Sequence, residues 1–472
     1  MGVFLKKTLC VFMSAVMIAV AVPLIVQTGS AYAESETWTD EYGIKFTYMD
    51  NTSGGVTITR IEAADNSAET GSLDLVIPEQ IDGKDVNELG AGSNYTGNKV
   101  RSITFNTKIT SIPAYWASPN GNSSGFPVVT SITFPDGCQI AEIGAYGLAQ
   151  FSYLSSVIIP DSVVTLGEGA FYNCGSNTSV TDMTLTLGSG LVTIGDNAFT
   201  GWKISALVVP DSVKTIGDQA FYTSNSKLAR LTLGNSVESI GTEAFRNSLI
   251  TELVLPDSLD TIGTDAFLGC VDLTDITWPQ GNGQFTTVTG FAGCYALKDS
   301  VLTSIPSTVS VIGYKAFAND RFAEIVIPQS IATIEKQAFQ DCQYATKLTI
   351  RESNVPLTIG ADAFYNCPKL VNTDPGTILP ERVTTLNEGS LRFAVAPGVF
   401  TIKNKNIQIL DDSSYTTDRS VTDGQTTLPD PWYGTNCTKI IHPDDMTAET
   451  SPSFFEYKTV RDAYDQTRDE QY

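Results

Sequence analysis

Apolar residues in this chain recur in a fixed order that is neither purely helical nor purely strand-like. An alternating triplet such as Leu207-Val208-Val209 is followed by Pro210 and the polar pair Asp211-Ser212. Val213 and Ile216 come next, three apart, then Gly217, and the unit closes on Ala220-Phe221. Alternation sends Leu207 and Val209 to one side and Val208 to the other, as in a short strand. Pro210 lacks an N–H and ends the strand, Asp211-Ser212 favours a turn, and Gly217 permits a sharp change of direction. Ala220-Phe221 is too short for a stable helix and predicts one helical turn whose ring plugs the unit.

The closing phrase Gly-x-x-Ala-Phe ends at Phe171, Phe199, Phe221, Phe245, Phe267, Phe317 and Phe364, and Phe339 closes it with Glu335 in place of glycine. Neighbouring copies lie 22 to 28 residues apart, or about twice that where one copy has decayed. A period of this size marks a solenoid, in which each unit buries its apolar face only by stacking on the next. The residues that end the triplets give thirteen coils, marked by Pro78, Asn106, Pro135, Pro160, Gly188, Pro210, Gly234, Pro256, Pro279, Pro306, Pro328, Arg351 and Pro380. At strand spacing they make a rod on the order of 60 Å long. The expected fold is an α/β repeat solenoid, a right-handed stack of about thirteen coils. A parallel sheet runs along one face, with short helical or 3-10 turns opposite.

The phrase Ile-Pro-Asp-Ser-Val…Ile-Gly-x-x-Ala-Phe-x-x-Cys is clearest over residues 159–174, 255–270 and 327–342. It resembles the BspA-like leucine-rich repeats, a family of secreted and surface proteins. The resemblance covers roughly residues 73–392, and the chain lacks the regular Asn ladder of the commoner leucine-rich repeat. It implies a binding or adhesion module at a bacterial surface. It carries over no catalytic residue and no cofactor.

The flanks divide the chain further. Residues 1–33 carry Lys6 and Lys7, an apolar run over 9–26 and Ala31-Tyr32-Ala33, the pattern of a secretory signal peptide. Residues 34–72 predict an N-terminal cap, with short strands over 38–48 and 56–61 around the turn Asn51-Thr52-Ser53-Gly54-Gly55. Residues 393–472 predict a C-terminal cap or attachment region. It reads as a hairpin over 400–403 and 406–410, a Ser/Thr/Asp-rich loop over 411–430, and a polar helix over 460–471.

The formal charge of −23 becomes −25 once the two leader lysines are removed. Such a chain repels phosphate backbones, which excludes nucleic acid as the expected partner. No stretch after the leader reaches the roughly 18 apolar residues of a spanning helix. Expected localisation is secreted or at the bacterial cell surface.

Seven cysteines follow the leader, an odd number. Cys174, Cys270, Cys294, Cys342 and Cys367 share one slot, three residues after the closing position. A recurring slot suits a buried small apolar side chain. Coil spacing also brings Cys270 near Cys294, and Cys342 near Cys367, within disulfide reach. Both readings stay open.

Catalytic and metal chemistry finds little support. The one histidine, His442, follows Cys437 by five residues, but nothing specifies a third orienting group. The cysteines follow the repeat and not zinc-ligand spacing. Asp411, Asp412, Asp418 and Asp423 do not match a calcium loop. Asp161, Asp211 and Asp257 recur at one turn position, which marks turn formers and not a catalytic pair.

Candidate contact residues fall in two places. The outward column of the sheet includes Val208, Thr232, Val254, Thr277 and Val326, uncharged and β-branched, beside a second column with Arg230 and Glu252. Such residues also simply suit a pleated surface. Two insertions carry aromatics: Trp116 with Tyr115 and Phe126, and Trp278 with Phe285. Loop aromatics on a rigid scaffold make contact residues or fold back over its edge. The expected activity is non-enzymatic binding of an extracellular protein, from host, matrix or another bacterial surface. The alternative is a carbohydrate- or cell-wall-binding module using Trp116, Trp278 and Trp432.

Overall fold

A computed structural model describes residues 35–62, 73–91, 95–96, 100–118, 124–224, 226–281, 283–370, 377–391, 398–410, 420–422, 427–429 and 437–441. The expected signal peptide, His442, Trp432, the acidic residues 411, 412, 418 and 423, and the helix over 460–471 lie outside them.

The repeat folds as a β-solenoid of about thirteen turns. Most triplets form strands that pair in parallel with a counterpart one coil on, in several runs along the face. Ser156↔Thr184, Val157↔Leu185 and Ile158↔Thr186 give one such register. The Thr-Ile pair before the glycine forms a second parallel ladder, continuous from Ser111–Ile112 to Thr261–Ile262. A second stretch of this ladder runs from Thr287–Val288 to Gln408–Leu410.

The closing phrase is not helical, which corrects the expected α/β class and its short helical turns. The sole helix among the described residues is Ser300–Thr303. The phrase is a ribbon of successive turns. Ala198 and Thr200 donate back to Gly195 and Asn197, while Asn197, Phe199 and Gly201 donate to Asp218, Ala220 and Tyr222 of the next coil. An α-helix would commit every N–H to its own chain four residues back. The ribbon instead sends alternate N–H groups across to the neighbour, so a third ladder ties the coils together. Its geometry requires left-handed backbone two residues before and two after the phenylalanine, as at Asn197 (φ 56°) and Gly201 (φ 89°). The second of these positions holds Asn173, Asn247, Gly269, Gly293, Asn319, Asp341 and Asn366, all with positive φ, and Asn and Gly are the residues that tolerate it best.

The phenylalanines form one column. Phe171, Phe199, Phe221, Phe245, Phe267, Phe291, Phe317, Phe339 and Phe364 stack with ring centres 5.3 to 6.2 Å apart and planes within 18° of parallel. Phe291 belongs to the column although its coil has lost the closing phrase. The Asp-Ser turn also couples coils. The carboxylates of Asp161, Asp211 and Asp257 accept the backbone N–H of Ser189, Asn235 and Gln280 one coil ahead. The hydroxyls of Ser162, Ser212 and Ser258 donate to carbonyls one coil behind, at Ile140, Leu191 and Val237. The bond from Ser189 holds the Asp161 carboxyl below the usual carboxylate range.

At the N-terminal end, Glu36–Thr39, Lys45–Asp50 and Val56–Glu62 form an antiparallel meander. The last of them pairs in parallel with Lys84–Leu89. At the other end, Gly398–Ile402 and Gln408–Leu410 do not form the expected hairpin. They stack in parallel on Thr377–Leu379 and Val383–Asn387, and Cys437–Ile441 stacks in turn on Gly398–Ile402. The solenoid ladders therefore run past residue 392.

Arg382 pins this end. It is buried, and its guanidinium donates to the carbonyls of Pro328 at 2.8 Å, Ile331 at 2.7 Å and Val355 at 3.2 Å, so one side chain spans two coils behind its own.

Candidate functional site

The outward column of the triplet ladder forms an exposed, uncharged stripe. Ile158, Val208 and Val254 are 68%, 65% and 64% exposed, and Thr133, Thr186, Thr232 and Thr277 stand between and beside them, also exposed. Strand alternation produces this stripe, because the residues on either side of each column member point into the core. Arg230 and Glu252 are exposed two residues before Thr232 and Val254, in a parallel outward column. Further along, Asp275 pairs with Lys298 at 2.5 Å and Glu324 with Lys347 at 2.7 Å. Hydrogen bonds from those lysines hold both carboxyls below their ordinary range.

The face is not flat throughout. Between Thr184–Thr186 and Ala206–Val208 the ladder lapses to the single bridge Met183–Ile204. A groove of about 690 Å³ opens there, with Leu185, Leu187, Asp161 and Asp182 among its lining.

The stripe is interrupted at the coil ending in Pro306. Residues 300–303 form the short helix instead of a strand, and it packs against Glu324–Ile327. The carboxylate of Asp299 receives the N–H groups of Ala323 and Glu324 and fixes the junction. Val326, expected to face solvent, is therefore only 7% exposed and drops out of the candidate surface.

The insertion aromatics are also corrected. Trp116, Trp278 and Phe285 are buried. Trp116 packs on Phe105 and Phe126, with ring centres 5.3 and 5.8 Å away. Trp278 lies edge-on to Phe291 of the central column and near Phe285, and its indole N–H donates to the Val301 carbonyl at 3.2 Å. Both loops fold back because a large ring gains more from filling a coil edge than from standing in water. None of the three is available as a contact residue in the folded chain.

The cysteine slot is a hydrogen-bond position. Cys174, Cys270, Cys294, Cys342 and Cys367 are free, buried thiols. Each donates to the carbonyl of the closing residue one coil back: Leu148, Phe245, Phe267, Phe317 and Phe339, at 3.2 to 3.5 Å. Trp202, in the same slot, donates its indole N–H to Phe171 at 2.8 Å. The possible bridges Cys270–Cys294 and Cys342–Cys367 are not formed. Burial pushes the Cys174 thiol up to about 12. A thiol so buried and so weakly acidic stays unreactive. In Ellman titration of the native protein these five thiols are expected to be silent and to react only after denaturation. Rapid labelling in native buffer would contradict their burial.

Among the described residues no group of three or more Cys, His, Asp or Glu side chains is placed to hold a metal ion. Likewise, no helix among them is long and apolar enough to cross a membrane.

The stacked coils, their phenylalanine column and the cysteine slot define a leucine-rich-repeat solenoid. The chain belongs to the BspA type leucine rich repeat region family, whose model matches six copies over residues 125–184, 177–298 and 289–420. Among solved structures, it is similar to a leucine rich cell surface protein from Faecalibacterium prausnitzii. That pair is 16% identical with a TM-score of 0.43, covering 87% of this chain and 96% of the other. A leucine-rich repeat protein from Bacteroides ovatus is 18% identical with a TM-score of 0.42, covering 72% and 93%. The pneumococcal vaccine antigen PcpA is 16% identical with a TM-score of 0.38, covering 89% and 98%. The curated proteins contain no match. Membership rests on the repeat pattern and not on these distant likenesses.

Proposed function

We propose that this chain is a secreted, non-enzymatic scaffold that binds an extracellular protein on the exposed stripe between Thr133 and Thr277. The observation that carries the reading is the stripe itself. In a chain of net charge −23, four Thr and three large aliphatic side chains follow one another along the solenoid with no charge among them. A rigid, uncharged, β-branched surface loses little entropy on binding and desolvates cheaply. Arg230 and Glu252 beside it would orient the partner more than strengthen the contact. The groove beside Val208 gives the stripe a concave point for a protruding partner side chain.

Binding of sugar by the tryptophans is the weaker alternative, since Trp116 and Trp278 are buried. Purified protein, immobilised and exposed in parallel to extracellular matrix proteins and to cell-wall polysaccharides, should retain a protein saturably. Retention of polysaccharide alone would overturn protein binding as the main activity.

A further inference from the structure

We propose that a ladder of alternating tyrosines and cations, on the edge between the turn ribbon and the triplet strands, binds an acidic glycan chain. Its rungs are Tyr295, Arg321, Tyr344 and Lys369, one from each of four successive coils and all exposed. The Arg321 guanidinium lies 4.7 Å from the Tyr295 ring centre and 5.2 Å from that of Tyr344. The Lys369 ammonium lies 4.6 Å from the Tyr344 ring centre. Arg321 comes from the coil before Tyr344 and Lys369 from the coil after, so the two cations flank that ring.

These two cations carry no carboxylate partner among the described residues. In a chain with 52 acidic residues against 29 basic ones, nine described cations sit on a carboxylate, among them Lys84 on Asp50, Arg101 on Asp74, Lys108 on Asp85 and Lys214 on Glu238. Among the described residues no ion pair involves Arg321 or Lys369. The adjoining acid, Asp320, is buried beneath the edge, where burial raises its pKa and favours the neutral form. Asp272, exposed one coil before Tyr295, stands at the end of the ladder.

Stacking fixes what the ladder can recognise. A guanidinium whose face is set against tyrosine keeps its N–H edge free, and that edge matches a carboxylate bidentately. Viewed edge-on, the ladder is a row of hydrogen-bond donors: phenol, guanidinium, phenol, ammonium. Coil spacing of about 4.8 Å sets the cations about 10 Å apart, with a phenol between them. A sugar chain with a uronate on alternate rings presents acid, hydroxyls and acid in that order. An extended acidic peptide presents same-side carboxylates only about 6.7 Å apart, out of step with the cations. Screening at physiological salt, with a Debye length of about 8 Å, leaves such contacts intact while muting the distant acids.

Hyaluronan oligosaccharides, which carry one carboxylate per disaccharide, test the proposal by calorimetric titration at about 0.15 M salt. The expected result is saturable binding, with neutral dextran silent. Arg321→Gln and Lys369→Gln should each weaken it about tenfold or more at unchanged circular dichroism. Arg321→Lys should also weaken it, because an ammonium keeps the charge and loses the planar fork. Absence of binding, or binding indifferent to Arg321→Gln, would overturn the proposal. Equal binding of poly-glutamate with the same variant dependence would reassign the ladder to acidic peptides. The edge is separate from the sheet stripe, so either surface can fail without the other.

Discussion

Phe245→Ala is expected to cost about 3–5 kcal/mol, the range for removing a fully buried aromatic. Phe245 is fully buried, with Phe221 and Phe267 stacked on it at 5.4 and 5.5 Å. Its removal therefore opens a gap in the middle of the column and not at a margin. The cost is more than local. In a solenoid each coil contacts only its neighbours, so stability is a sum of coil terms and interface terms. Losing this ring weakens two interfaces at once, and the halves on either side should begin to unfold separately. Urea unfolding followed by circular dichroism should show a lower midpoint and a shallower or split transition. A change below about 1 kcal/mol with a single sharp transition would mean that the column does not couple the coils.

The second large effect should have the opposite sign. Asp320→Cys is expected to stabilise the protein at neutral pH. Asp320 occupies the thiol slot, three residues after Phe317, between the coils of Cys294 and Cys342. It is fully buried, and neither carboxylate oxygen has a hydrogen-bond partner among the described residues. Its neighbours in the slot each donate to a main-chain carbonyl one coil back, and Asp320 makes no such bond. Burial accordingly pushes the Asp320 carboxyl well above its ordinary range. Cysteine restores the donor at similar size. The gain should be about 1–3 kcal/mol, the cost of a buried polar group without its hydrogen bond.

The pH dependence separates this from a general packing gain. The folded carboxyl holds its proton where the unfolded one has released it, so the native state binds more protons. The stability that Asp320 contributes is then full below about pH 4 and falls as pH rises through the raised folded value. In the variant that loss should disappear. The exposed Asp161 and the partly exposed Asp275, whose carboxyls are held low, act in the other sense: their contribution is present above about pH 4 and lost as pH falls. Both proteins should therefore share an acid limb and differ at neutral pH. Equal stability across the neutral range would contradict the assignment of Asp320 as a mismatched donor slot.

Much of this fold was legible in the chain because the repeat is nearly literal. Phe171 and its successors announced the column, and the triplets announced the strands. The conformation of the closing phrase was not legible from Ala-Phe alone, since those residues suit a helical turn. The discriminating signal lies two residues further on, where Asn173, Asn247 and Asn319 stand at positions of positive φ. An asparagine or glycine recurring there tells of left-handed backbone, which an α-helix cannot hold in its interior. Phe291 was hidden for another reason: its coil lacks the phrase, yet Cys294 keeps the slot and points back to it.

The candidate surface was read only in part. Val208, Thr232, Val254 and Thr277 followed from alternation, which a strand obeys wherever it pairs. Val326 failed because the short helix Ser300–Thr303 took the place of the neighbouring strand and packed against its own. For Trp116, Trp278 and Phe285 contact and folding back both stood open, because a loop's composition does not set the direction in which it folds. The tyrosine–cation ladder went unread for want of register, since its rungs are 23 to 26 residues apart and none repeats the type of its neighbour.

The measurement that bears most directly on function is capture of the retained extracellular protein by the triple variant Val208→Glu, Thr232→Glu, Val254→Glu. All three side chains are exposed on one column, so circular dichroism should be unchanged. The stripe as binding surface predicts at least about a tenfold loss of affinity, as expected when charges are placed in the desolvated centre of an interface. Undiminished capture by a folded variant would contradict it and place the partner elsewhere on the solenoid.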